Sequence, residues 1–247
     1  RRISCCRHLY RDEKMVTEFR TAALEKFVGC DGGDPGSAQF PSIWVLGIEH
    51  GIKNGVNDPS STAPAESDGS YSIATQLKYR FNNNAFALLA AIFDHPVKDY
   101  INFARMKQPF VKGSKGFFKG NIYPIACSDV SSWPPEAEAE TGMSKEEYRR
   151  WCDEFRLPVL ASWIEEYRPQ VVIGVGLMNS DQFSRAVFGR SVPLLRTDVQ
   201  HGAGKTKRLM YAHVDGKKLV VVSHLSWPQS DLGLTNTGIF IRQLIEK

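Results

Sequence analysis

Residues 42–51 read Ser-Ile-Trp-Val-Leu-Gly-Ile-Glu-His-Gly. Ser42 to Gly47 is short, continuously apolar and preceded by Pro41, the pattern of a strand buried on both faces in a parallel sheet. Further core strands are predicted over Phe117 to Ile125, Val171 to Val175 and Lys218 to Ser223. The last is the second arm of a hairpin running from Lys207 to Val222 and turning at Asp215-Gly216.

Helices are predicted between these strands. Val16, Phe19, Ala23 and Phe27 recur at helical spacing within Met15 to Val28, ahead of the glycine-rich Gly29 to Gly36. Asn83 or Asn84 can cap a helix running to Phe93. Ser144 with Glu147 is a capping box for a helix to Phe155, and Pro158 opens another that reaches Tyr167 and stops before Pro169. Ser180 caps a short helix to Phe188, and Thr237 to Glu246 forms the last. Ile52 to Ser70 is rich in Asn, Asp, Pro, Ser and Gly and is predicted to be a long loop.

Strands alternating with helices predict a three-layer α/β/α sandwich around a central, mainly parallel four-stranded sheet. The expected unit is a single domain over residues 15–247, with Met15 as the natural start and residues 1–14 as an extension outside the fold.

Of 247 residues, 42% are hydrophobic and 23% charged, which excludes wholesale disorder. No apolar run approaches the ~20 residues of a membrane span, so no membrane partner is expected. Thirty-one Lys and Arg against 27 Asp and Glu give +4. That excess is concentrated: Lys98 to Lys119 holds six basic residues and one acid, and Arg190 to Arg208 holds five and one. Both segments could follow a polyanion or simply be solvated faces. Five cysteines without C-x-x-C spacing suggest neither a disulfide framework nor a zinc or iron–sulfur site. A reducing, cytoplasmic compartment, a monomer and no cofactor or metal are expected.

Several chemistries are excluded by motif. Gly202-Ala203-Gly204-Lys205-Thr206 resembles a phosphate loop, but its first glycine should fall at Val199, and a hairpin strand follows where a helix is needed. His8, His95, His201 and His213 lack metal-ligand spacing, and no G-x-S-x-G elbow is present.

Ligands of such sheets sit at the carboxyl ends of the strands. There the chain places Gly47-Ile48-Glu49-His50-Gly51, then Gly120-Asn121-Ile122-Tyr123-Pro124 and, after the last strand, Ser223-His224-Leu225-Ser226-Trp227-Pro228. A carboxylate, an amide and an imidazole are therefore expected on one rim. Gly47 and Gly51 permit close approach around Glu49, and Asn121 offers one donor and one acceptor group to a base edge.

In these segments the chain resembles the uracil-DNA glycosylase superfamily. G-I-E-H-G at 47–51 is similar to its first motif, Asn121 to its base-reading asparagine, and His224-Leu225-Ser226 to its H-P-S motif. Arg168 to Gly176 (R-P-Q-V-V-I-G-V-G) also agrees in order, and the likeness spans about residues 38–247. The resemblance implies DNA, single- or double-stranded, carrying a damaged or deaminated base that is flipped into a pocket. It implies that Phe81 or Tyr79 stacks on that base and Asn121 reads its pairing edge. His224 would donate to the base oxygen as charge builds there, while Glu49 would orient or deprotonate water. Ser226 would hold a phosphate, and Leu225 or Trp227 would fill the vacated stack. His50 and Leu225 stand where the family has prolines, so both loops are expected to differ in shape. Gly51 stands where uracil-specific members carry a tyrosine, which implies room for 5-substituted bases. The alternatives are a non-catalytic nucleic-acid-binding protein with the same fold and a small-molecule hydrolase on an unrelated sheet.

Overall fold

A computed structural model of the chain describes residues 16–51, 71–127 and 132–247. The expectations for residues 1–15, for the 52–70 loop and for Met15 lie outside the described residues.

Seven strands form one mixed sheet: β1 (Cys30–Gly33), β2 (Ile43–Gly51), β3 (Phe117–Cys127), β4 (Val171–Val175), β5 (Leu195–Gly202), β6 (Lys205–Val214) and β7 (Lys217–Val222), in the order β1-β3-β2-β4-β7-β6-β5. The α/β class is as expected, but a four-stranded sheet is not what forms. The four predicted strands do pair in parallel as β3-β2-β4-β7. Antiparallel strands then extend both sides, β1 on β3 and the β6–β5 hairpin on β7. Strand β6 is the first arm of the predicted hairpin, whereas β1 and β5 escape an apolar-run search for a physical reason. β1 is Cys-Asp-Gly-Gly on an edge, and β5 is exposed at half its positions, so neither is a buried apolar run.

Side chains alternate between two cores. Ile43 and Val45 of β2 pack with Val171, Ile173, Val220 and Val222 against α3 (Arg80–Ile92), α4 (Tyr100–Lys107) and α9 (Asp231–Ile245). Trp44, Leu46 and Ile48 face the other way, with Val172, Leu219 and Val221, against α1 (residues 16–22), α6 (Lys145–Trp151), α7 (Leu157–Tyr167) and α8 (Ser180–Phe188). Two short helices, α2 (Ile73–Gln76) and α5 (Pro135–Thr141), complete the set.

Helix boundaries follow capping chemistry. The Ser144–Glu147 capping box forms, and Pro158 lies in the first turn of α7. Helix α3 begins at Arg80, before either predicted cap, because Asn82 is buried inside its first turn. Helix α8 is preceded by Asn179, so Ser180 is its first residue and not its cap. Ser230 caps α9 by accepting from the Gly233 amide, so the helix starts at Asp231, six residues ahead of the predicted start. The first helix stops at residue 22, and Phe27 at φ 66° turns the chain into β1. The β6–β7 turn falls at Asp215 (φ 52°) and Gly216 (φ 74°), as predicted.

The connection leaving β2 runs to β3 on one side, and that leaving β4 runs towards β7 on the other. The switch point therefore lies beyond the carboxyl ends of β2 and β4.

Candidate active site at the carboxyl rim

Asn121 pairs with Gly47 across β2 and β3, two residues before Glu49 pairs with Tyr123. The amide and the carboxylate thus leave adjacent strands at the same rim. Asn121 is buried, and its Nδ2 donates to the Gly29 carbonyl (3.1 Å) and to Asp31 Oδ2 (3.4 Å). Its Oδ1 points at Gly47, where a Cβ would lie 2.5 Å away. Gly47 is therefore glycine because the Asn121 side chain occupies that space.

Glu49 is 7% exposed at its side chain and is held by α6: Lys145 Nζ lies 3.4 Å from Oε1 and an Arg149 Nη 3.6 Å from Oε2. Its Oε2 is buried and makes no hydrogen bond. A carboxylate oxygen shielded from solvent but left without a donor is costly unless another group supplies one. Lys145 also donates to the Ser132 carbonyl at 2.7 Å, which fixes the ammonium in place. Gly51 ends β2 opposite Cys127.

His224 follows β7, at the same rim. The Ser226 backbone N–H donates to His224 Nδ1 (3.2 Å), so a neutral ring carries its proton on Nε2. Burial holds this imidazole below its ordinary pKa, which favours that neutral form. The ring centroid lies 6.1 Å from Phe81, edge-on, and 6.3 Å from Trp227.

Phe81 joins the two halves of the site. Lys119 Nζ sits 4.9 Å from its centroid, pairs with Asp31 at 3.1 Å and donates to Asn82 Oδ1 at 3.0 Å. A base can stack on Phe81 only where this ammonium leaves the ring open. Tyr79 precedes α3 and is half-buried. The Tyr71 phenol is pushed up by burial and by its neighbours Asp31 and Tyr79, so both tyrosines share this corner. Asn121, Phe81, Tyr79 and His224 are thus linked through Asp31 and Lys119, while Glu49 reaches the rim from the α6 side.

Two expectations are corrected. Leu225 is 2% exposed and packs in the core, so it is not a surface wedge. Trp227 is 66% exposed and Ser226 is exposed, which leaves those two positions accessible on the loop. Lys119, counted in the Lys98 to Lys119 segment, is buried in its ion pair and does not face solvent.

Residues missed from sequence brace the His224 loop. Asn84 Nδ2 donates to the carbonyls of Leu225 (2.6 Å) and Trp227 (3.2 Å). Lys207 reaches Gln229 Oε1 at 2.6 Å, and Gln229 Nε2 donates to the His224 carbonyl at 3.2 Å. Ser230 Oγ contacts His201 Nδ1 at 2.8 Å. The one legible signal was Asn84, a polar residue entering the apolar run of α3. Among the described residues, no three His, Cys, Asp or Glu side chains group as a metal site. No protein-family model matches this chain, and no curated protein matches it either.

Proposed function

We propose that this chain is a DNA glycosylase that hydrolyses the N-glycosidic bond of a flipped, deaminated or modified base. One observation carries the reading: a buried carboxylate with an oxygen that accepts no hydrogen bond, a buried amide and a neutral imidazole with its proton on the outer nitrogen share one carboxyl rim.

In this reading Asn121 meets the pairing edge of the base. His224 Nε2–H donates to the base oxygen, so negative charge on the departing base is met by a donor already in position. Glu49 Oε2 accepts a hydrogen bond from the attacking water and offsets positive charge growing on the sugar. Lys145 and Arg149 hold that carboxylate in place, keeping Oε2 directed while other groups move. Of the two expected wedge residues, Leu225 and Trp227, the exposed Trp227 takes the role.

A second reading, a nucleic-acid-binding protein without chemistry, is favoured by the same Lys145 and Arg149, whose ion pairs already engage both oxygens of Glu49. A single-turnover assay decides between them. Oligonucleotides carrying uracil, hypoxanthine, xanthine or a 5-substituted pyrimidine are incubated with the protein and scored for abasic sites. Under the glycosylase reading at least one is converted, and Glu49→Gln and His224→Ala each slow it by about 100-fold or more. Conversion of none, with tight binding retained, establishes the second reading.

A further inference from the structure

We propose that the outer edge of β5 is a self-association surface, on which a second copy of this chain adds its own β5, antiparallel, to make one continuous sheet. The inference is independent of the chemistry assigned to the carboxyl rim.

Among the described residues β5 has a strand on one side only, since it ends the sheet order. Which of its backbone groups face outward follows from the neighbouring hairpin. The two-residue turn at Asp215-Gly216 closes on Val214 and Lys217, a pair that exchanges hydrogen bonds in such a turn. Alternation then gives Ala212 and Met210 to β7, and Tyr211, Leu209 and Lys207 to β5. Their partners on β5 are Leu195, Thr197 and Val199, so the N–H and C=O groups of Arg196 and Asp198 point away from the sheet. Gln200 has the same parity, and its carbonyl is met from outside by Asn236 Nδ2 at 2.8 Å. The stretch open to another strand is therefore residues 195–199. It carries no proline, and the irregularity in the ladder lies beyond it, between Gln200 and Gly202.

Side-chain order selects the occupant and the register. An antiparallel copy centred on Thr197 sets Arg196 opposite Asp198 of the second copy, twice by symmetry, and each pair exchanges backbone hydrogen bonds. Sliding the copy by two residues either way centres it on Arg196 or on Asp198 and sets like charges against each other. Both side chains are exposed, and Arg208 of the same chain approaches Asp198 only loosely, at 3.9 Å. The same register lays Leu195 on Val199 of the second copy. Val199 belongs to the core under α9 and is 9% exposed, whereas Leu195, two turns of the pleat away on the same face, is 61% exposed. The strand thus carries both halves of its own complement, cation to anion and open leucine to valine.

A five-residue edge is small, so the pair is weak and is read by sedimentation equilibrium of the full chain at concentrations up to about 200 µM. The wild type is expected to form reversible dimers. Arg196→Asp and Asp198→Arg should each raise the dissociation constant about tenfold or more, because two attractions become two repulsions. Mixed in equal amounts, the two variants should regain wild-type affinity as a heterodimer, since every opposed pair is then of unlike sign. Register is read by mild oxidation, with the wild type as control for the native cysteines. Thr197→Cys lies on the two-fold axis and should form an intermolecular disulfide, whereas Leu195→Cys lies four residues from its counterpart and should not. A wild type that stays monomeric at about 200 µM overturns the proposal. So does association that both charge variants leave unchanged, which places the contact elsewhere, a mixture no tighter than its components, or equal crosslinking of the two cysteine variants.

Discussion

His224 is set by one backbone hydrogen bond, and its titration has a definite sign. Its folded-state pKa lies below the ordinary 6.5, and burial does the same to His201, with Lys207 and Lys205 adding to the shift there. Well above pH 6.5 both rings are neutral in the folded and the unfolded chain, so neither affects the pH dependence of stability there. As pH falls through 6.5, the unfolded chain takes up protons that the folded chain refuses, and stability declines. Urea unfolding between pH 7.5 and 5.5 should show this loss, and it should shrink in a His201→Gln, His224→Gln double variant. Gly47 supplies a second residue-scale prediction. Gly47→Ala puts a Cβ within 2.5 Å of Asn121 Oδ1, so the amide must move. Under the proposed glycosylase function, base release should fall on the order of 100-fold, as expected for ångström-scale misplacement, with the melting temperature little changed. The strand-end placement of Glu49 and His224 was legible in the sequence because one lies near the end of β2 and the other just past β7, and Asn121 was read, as it lies, within β3. Asp31 was not, since an aspartate beside two glycines reads as a turn until β3 is seen to pair with it.

The loop carrying His224 is an element held from three sides, by Asn84 on α3, by Lys207 and His201 on the β5–β6 hairpin, and by Leu225 sunk in the core. Leu225→Ala should cost about 2–4 kcal/mol in denaturant unfolding, the usual range for emptying a buried leucine site. Asn84→Ala should instead spare stability and lower the rate, because it frees two carbonyls that orient His224. These braces could not be read from sequence: they join residues more than a hundred positions apart in the case of Asn84, and no local pattern encodes that. The reverse holds for α6, whose capping box is a four-residue signal and appears as read. Strand β5 shows what an apolar search overlooks, a strand kept in the sheet by pairing while much of its surface stays wet.

Across the whole molecule, the parallel centre was legible because burial on both faces demands unbroken apolar runs, whereas the antiparallel margins answer to no such demand. The chain carries +4 overall, and Arg196, Lys205 and Arg208 are exposed on the β5–β6 hairpin beside the His224 loop. If DNA is the partner, as proposed, its binding should weaken steeply as salt rises, with the log–log slope reduced by about one for a Lys205→Gln change. Trp227→Ala should weaken binding by about 1–3 kcal/mol at every salt concentration, since stacking is not screened.

Arg156 is fully enclosed, in the single π-helical turn Cys152–Arg156, with its guanidinium 4.8 Å from the Trp163 ring. Its terminal nitrogens donate to the carbonyls of Ala23 and Val28, and its Nε has no partner. Burial draws its pKa down. The amino-terminal segment from residue 16 to Gly33 is consequently a clasp shut by a cation. A fragment lacking that clasp would bare a guanidinium in an oily seam and leave an unpaired β3 edge, inviting self-association instead of yielding a smaller working protein.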